Sequence, residues 1–232
     1  MAELDFYQKD MEKIQKKLLS KIEKVLAGLV VLDDAALAQA FQQIDFVDDL
    51  NRLGFPALLE KVKGSYDKQV VTTVAGLSAA QRNKQRVAAV QAIEVLALLD
   101  LSTISSGVTR YANELKTAMF RGLLTGQSSK SIMEGLTATY GVGRALSSKQ
   151  QVALLNDSFA RFSRTTTAKL FEDVPEQKFQ YVGPNDEVTR DVCVATLEMQ
   201  GEGMTMAEIE AEAPVSFADG GGFNCRHEWV PV

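Results

Sequence analysis

Apolar residues recur at three- and four-residue steps from the start of the chain: Leu4, Tyr7, Met11, Ile14, Leu18, Ile22 and Val25, with Lys and Glu between them. That spacing lines one face of a helix and predicts a long amphipathic helix ending near Gly28. A second helical stretch is expected after Asp33 or Asp34, since either carboxylate can accept a free backbone N–H at a helix start. It runs toward "RLGFP", where Gly54 and Pro56 mark a break. Residues 57–74 keep a helical composition, although the β-branched "QVVTTV" also suits an extended segment.

"SAAQRNKQRVAAVQAIEVLALL" gives the clearest helical pattern, opened by Ser78 and Gln81 at capping-box spacing. "RYANELKTAMFRGLLTG" is predicted helical up to Gly126, a residue suited to a C-terminal cap. "SSKSIMEGLTATYG" predicts a shorter helix ended by Gly141 and Gly143. Ser147 and Gln150 repeat the capping-box spacing ahead of a last long helix, "KQQVALLNDSFARFSRTTTAKLFED".

The pattern changes at Pro175. Four of the five prolines lie from there on, together with both cysteines, the one histidine and the one tryptophan. "KFQYV" and "EWVPV" alternate as short strands do, and "DEVTRDVCVATLEMQ" between them fits a short helix. The expected fold is α+β and predominantly α-helical. An elongated helical region over 1–110 leads through further helices at 111–174 into a small α+β module at 175–232. A module of that size is marginal on its own core and is expected to pack on the last long helix.

Composition narrows the class. Apolar residues at 46 % and charged residues at 24 % suit a chain with a real core. Acidic residues stand where a secretory signal would need a basic start, so synthesis in a cytoplasm is expected. Two cysteines make no disulfide framework. The net charge of -5 is unevenly spread: residues 1–77 carry -2, residues 78–171 carry +7 and residues 172–232 carry -10. A basic middle beside an acidic end either faces different neighbours or is neutralised within the fold.

Four stretches in order resemble the phage Mu F-like minor head protein family, also called phage head morphogenesis proteins. "LLTGQSSKSIMEGL" is like the family's helix, glycine, polar turn and helix. "FARFSRTTTAKL" is similar to its Arg-Thr-bearing helix, and "YVGPNDEVTRDVC" to its aromatic strand, Asp-x-x-Thr-Arg and cysteine. "FNCRHEWVPV" resembles its Asn-Cys-Arg-x-x-Trp ending. The resemblance covers roughly residues 115–232 and rests on Asp186, Thr189, Arg190, Asn224, Arg226 and Trp229. The chain departs from the pattern at the end: His227 stands where a second cysteine is common, and Gly222 and Phe223 replace a His-Pro. The resemblance implies a non-enzymatic virion protein of the portal vertex and capsid interior. Its implied partners are portal and other head proteins, and packaged double-stranded DNA, with no membrane. The alternative class is an effector enzyme, ADP-ribosyltransferase-like or nuclease, delivered with the genome. The one histidine and the lack of a tight acidic cluster leave that class few acid–base candidates.

Individual residues carry several further expectations. Cys193, Cys225 and His227 would meet if the terminal strand lies beside the helix of Cys193, and thiolate and imidazole suit a structural zinc. Asp191 is then the nearest fourth ligand; the plainer alternative is two semi-buried thiols and a surface histidine, with no cofactor at all. A disulfide between the cysteines suits a released virion rather than a reducing cytoplasm. Asn185 or Asp186 is expected to cap the helix of Cys193, and Arg226 to pair with an acid of the module. Trp229 is expected in the module core. Arg82, Lys84, Arg86, Arg161 and Arg164 are the candidate phosphate contacts, with a solvated helix face as the alternative. The glycines at 220–222 read as a flexible turn.

Overall fold

A computed structural model describes residues 5–75 and 86–232. Leu4, the Ser78–Gln81 capping pattern, Arg82 and Lys84 lie outside the described residues. The fold is predominantly α-helical α+β, with a small antiparallel sheet near the end of the chain. The chain divides into two compact units, one formed by residues 2–62 and 101–152 and the other by residues 63–100 and 153–232. Among the described residues, no helix is long and apolar enough to cross a membrane.

In the first unit, α1 (Asp5–Leu29) buries Tyr7, Met11, Ile14, Leu18, Ile22 and Leu26 on one face. The buried Gln15 on that face is anchored to the carbonyls of Tyr140 and Arg144 at 3.4 and 3.3 Å. The second helical stretch divides in two. Asp33 caps α2 (Asp34–Gln43) through the Ala36 N–H, and Asp45 caps α3 (Phe46–Arg52) through the Val47 and Asp48 N–H groups. A carboxylate that satisfies free backbone donors favours a new start over a continued helix, so Asp45 sets the division. Pro56 falls in the first turn of α4 (Phe55–Ala75), where its missing N–H costs nothing. "QVVTTV" is helical, so its β-branched residues yield to their helical neighbours.

The stretches "VAAVQAIEVLALL" and "RYANELKTAMFRGLL" form one helix, α5 (Arg86–Leu124). Its end is a Schellman arrangement: Gly126, at φ +72°, donates to Leu123, and Gln127 donates to Gly122, both at 3.0 Å. Ser128 caps α6 (Ser129–Tyr140). A 3-10 turn at Ala145–Ser147 precedes α7 (Lys149–Phe171). The capping residue of α7 is Ser148, whose hydroxyl accepts from the Gln151 N–H at 3.2 Å. Ser147, expected in that role, is buried and accepts from the Gly143 N–H.

In the second unit, α7 buries Phe159, Phe162, Ser163, Arg164, Leu170 and Phe171. Tyr66 of α4 packs edge-on against Phe159 and Phe162, and its hydroxyl donates to Asp100 at 2.8 Å. The sheet has the order β2-β1-β3, with β1 (Lys178–Val182), β2 (Met204–Thr205) and β3 (Glu228–Pro231) all antiparallel to their neighbours. In β1 the period of two sends Phe179 and Tyr181 to the buried face. Tyr181 pairs across with Trp229, and Phe171, Phe179, Phe217 and Trp229 form a chain of ring contacts. Between the strands lie α8 (Asp191–Met199) and α9 (Met206–Glu212), the latter opened by a complete Thr205–Glu208 capping box.

Candidate functional site

Three tethers fix the ground on which the terminal residues stand. Arg164, 1 % exposed, donates from Nε to the Ala218 carbonyl at 2.8 Å and from Nη1 to the His227 carbonyl at 3.1 Å. The Asn224 N–H donates to the Asp157 carboxylate at 2.5 Å, with Asn224 in the left-handed region at φ +56°. Arg190 reaches across from the start of α8 to the carbonyls of Gly221 and Phe223, at 3.1 and 2.5 Å. These charge-assisted bonds hold a loop whose backbone carbonyls would otherwise lack partners.

On this ground Cys193, one turn into α8, meets Cys225 and His227 from the approach to β3. They are 2 %, 3 % and 2 % exposed. Their ligand atoms all lie within 4.8 Å of one another, and among the described residues they are the one such group of Cys, His or acidic side chains. The two Sγ atoms are 3.8 Å apart, and Cys225 Sγ is 3.8 Å from His227 Nδ1. The cysteines are free thiols. Sequence spacing does not reveal the fourth member, Tyr181, whose hydroxyl lies 3.5 Å from Cys193 Sγ and 3.3 Å from Cys225 Sγ. Its ring stacks on the His227 imidazole at 5.0 Å and 13°. Asp191, expected as the fourth ligand, is exposed and outside the group.

Two of the three turn glycines, Gly220 and Gly221, pack against this cluster, while Gly222 faces open space. A Cβ on Gly221 would collide with Cys193 Sγ, and one on Gly220 would lie 3.1 Å from the Arg164 guanidinium. Gly183, on the other side, has no room for a Cβ because the His227 ring occupies it. A cleft of about 250 Å³, lined in part by Arg190, Cys193, Cys225, Arg226 and His227, opens onto the cluster.

Electrostatics differ from one member to the next. Burial pushes the Cys193 thiol above its ordinary value. Burial acts the same way at Cys225. There it is outweighed by the Tyr181 hydroxyl and the backbone amides of His227 and Gly221, which favour the thiolate and bring that thiol below its ordinary value. Burial drives the Tyr181 phenol far upward, and both cysteines add to the shift. Burial also lowers the His227 imidazole, against the opposing pull of the Pro184 carbonyl. The neutral imidazole, the form that ligates a metal, is therefore favoured.

Asp186 does not cap α8. The N-cap position belongs to Arg190, which makes no side-chain cap bond, and Asp186 organises the turn before it. Its carboxylate accepts from the Val188 N–H and the Thr189 hydroxyl, and forms a two-pronged pair with Arg226 at 2.7 and 2.5 Å. The Arg226 guanidinium holds the Asp186 carboxyl well below the usual carboxylate range.

The candidate phosphate contacts separate. Arg164 is spent inside the module and presents nothing to a phosphate, because burial obliges a guanidinium to find acceptors within the fold. Arg161 is half exposed and lies 3.4 Å from both Asp157 and Asp219. Arg86 opens α5. Compared with known protein families, with characterised proteins and with solved structures, the chain matches none.

Proposed function

We propose that the chain is a phage minor head protein, acting structurally in head morphogenesis at the portal vertex and capsid interior. One observation carries this reading: the last three of the four pieces of the ordered motif series meet in a single interlocked module. The Asp-x-x-Thr-Arg piece supplies Asp186, Thr189 and Arg190, and the Asn-Cys-Arg piece supplies Asn224, Cys225 and Arg226. Asp186 binds Arg226, Arg190 binds the Gly221 and Phe223 carbonyls, and the Arg-Thr-bearing helix supplies Arg164 to the His227 carbonyl. Residues used in this way hold one segment of the chain against another, which suits a structural role.

A binding role is also supported by apolar surface elsewhere. Val30 and Val31 after α1 are exposed, and the cleft between α2 and α5 is lined by Leu37, Phe41, Phe120 and Leu124. Phe41 and Leu124 are themselves exposed at this cleft, and apolar side chains grouped in this way suit a protein contact. In this reading the acidic module and the helices face protein partners, while basic residues of 78–171 face packaged DNA.

The test is head assembly in cells that express the phage head genes with and without this chain. The expected result is a few copies of the chain in purified heads, capture of the chain by purified portal protein, and defective heads without it. Normal heads lacking the chain, together with no portal capture, would overturn the proposal. Turnover of a nicotinamide dinucleotide or cleavage of nucleic acid by the purified chain would favour the effector enzyme instead.

A further inference from the structure

We propose that Cys193, Cys225, His227 and Tyr181 form a four-donor site for one zinc(II)-class cation, closed by the phenol oxygen of Tyr181. This goes beyond the head-assembly reading and does not depend on it. The donor spacings carry the argument. A tetrahedral zinc with bonds of about 2.3 Å to sulfur and about 2.0–2.1 Å to nitrogen or oxygen separates two sulfur donors by about 3.8 Å. The same geometry separates sulfur from nitrogen or oxygen by about 3.5 Å. The Sγ atoms of Cys193 and Cys225 are 3.8 Å apart, and Cys225 Sγ is 3.8 Å from His227 Nδ1. The Tyr181 hydroxyl completes the set at 3.5 and 3.3 Å from the two sulfurs. Four of the six spacings in this set of buried donors, drawn from three separate segments, thus match or approach the edges of one coordination tetrahedron. Cys193 Sγ lies within 4.8 Å of a His227 ring nitrogen.

Charge points the same way. Two thiolates balance the 2+ of the cation, while a neutral imidazole and a neutral phenol add none, so the loaded site is electroneutral. Electroneutrality is what burial demands of an ion. Binding therefore displaces one proton from each thiol. The surrounding shell is already built: Arg164 and Arg190 hold the backbone on both sides of Cys225, and Gly221 and Gly183 leave no space for the cluster to spread. Soft sulfur donors with one imidazole favour zinc or cobalt over magnesium or calcium, which take oxygen.

The experiment is a cobalt(II) titration of the full-length chain freed of metal by a chelator and kept reduced. Uptake of one equivalent is expected, with thiolate-to-cobalt charge-transfer bands, the intense visible bands of a tetrahedral ion and release of about two protons per metal. Zinc should then displace the cobalt. All of these are read on the unaltered chain, so none depends on a variant folding. Tyr181→Phe should still bind but with shifted visible bands and weaker affinity, and Cys225→Ser should lose at least half of the charge-transfer intensity, one of two thiolates being removed. No stoichiometric uptake, or the weak spectrum of octahedral cobalt, would overturn the site. An unchanged visible spectrum in Tyr181→Phe would overturn the four-donor set.

Discussion

A guanidinium sealed from water must find acceptors within the protein, and Arg164 finds two backbone carbonyls on different parts of the terminal loop. Arg164→Met keeps much of the side-chain volume but leaves the Ala218 and His227 carbonyls without donors. It should cost about 2–4 kcal/mol, from the loss of hydrogen bonds to a charged group, read as a lower denaturation midpoint. Arg161→Ala, three residues earlier, should lower that midpoint much less than Arg164→Met, since the Arg161 guanidinium is half exposed and water screens its ion pairs. Asp186 supplies a pH-dependent contribution. Its folded-state carboxyl titrates below the ordinary value because of Arg226, with Thr189 and the Val188 amide assisting. Its stabilisation is therefore full above the ordinary Asp value of about 3.9 and is lost as pH falls through the lower folded value. Wild type should melt above Asp186→Asn at neutral pH, and the gap should close in strong acid and shrink with salt. A gap independent of pH would remove the pair from the account.

At the scale of elements, β1 is the strand on which the module is assembled. β3 pairs along it from Phe179 to Val182, while β2 covers only Lys178 and Phe179. Beyond β2 the Gln200 side chain takes over as a surrogate strand: its carbonyl accepts from the Tyr181 N–H and its amide donates to the Tyr181 carbonyl. Gln200→Leu should cost about 1–3 kcal/mol, because it strands a backbone donor and acceptor at the sheet edge. Trp229→Ala, which empties the space between Tyr181 and Phe217, should cost about 3–5 kcal/mol. A melting transition matching wild type would refute the role of the closing strand. These elements are unequally legible in the sequence. Strands β1 and β3, the buried face of α1 and the cap at Gly126 depend on periodicity or on one residue's local conformation, and all are readable from neighbours in the chain. The capping serine of α7 falls one position later than the spacing predicts, because Ser147 and Ser148 are adjacent and only the 3-10 turn decides between them. Tyr181, Gln200 and Arg164 act through partners 19 to 63 residues away, or 12 in the case of Cys193, and no local pattern marks them. The grouping of Cys193, Cys225 and His227 is legible because few residues of such chemistry exist in the chain, leaving one arrangement to consider.

At the scale of the whole molecule, the +7 of residues 78–171 against the -10 of residues 172–232 bears most directly on function. Part of that contrast is met within the fold, since Arg161 lies beside Asp219 of the acidic stretch, and Arg164 is buried on backbone carbonyls where no phosphate reaches it. Arg82, Lys84 and Arg86 stand among the remaining basic residues of that stretch. If they face packaged DNA, duplex binding by the full-length chain should be indifferent to sequence and should fall steeply with salt as condensed counterions are released. Reversing Arg82, Lys84 and Arg86 to Glu should weaken binding and flatten the logarithmic salt slope by about 0.9 for each phosphate no longer neutralised. Arg161→Glu should add little, because that guanidinium already has acidic neighbours. Portal capture by the reversed chain should match wild type, since the module and the apolar clefts are unaltered. An unchanged salt slope in the triple variant would take this segment off the DNA, and failure of portal capture would place the same residues at a protein interface instead.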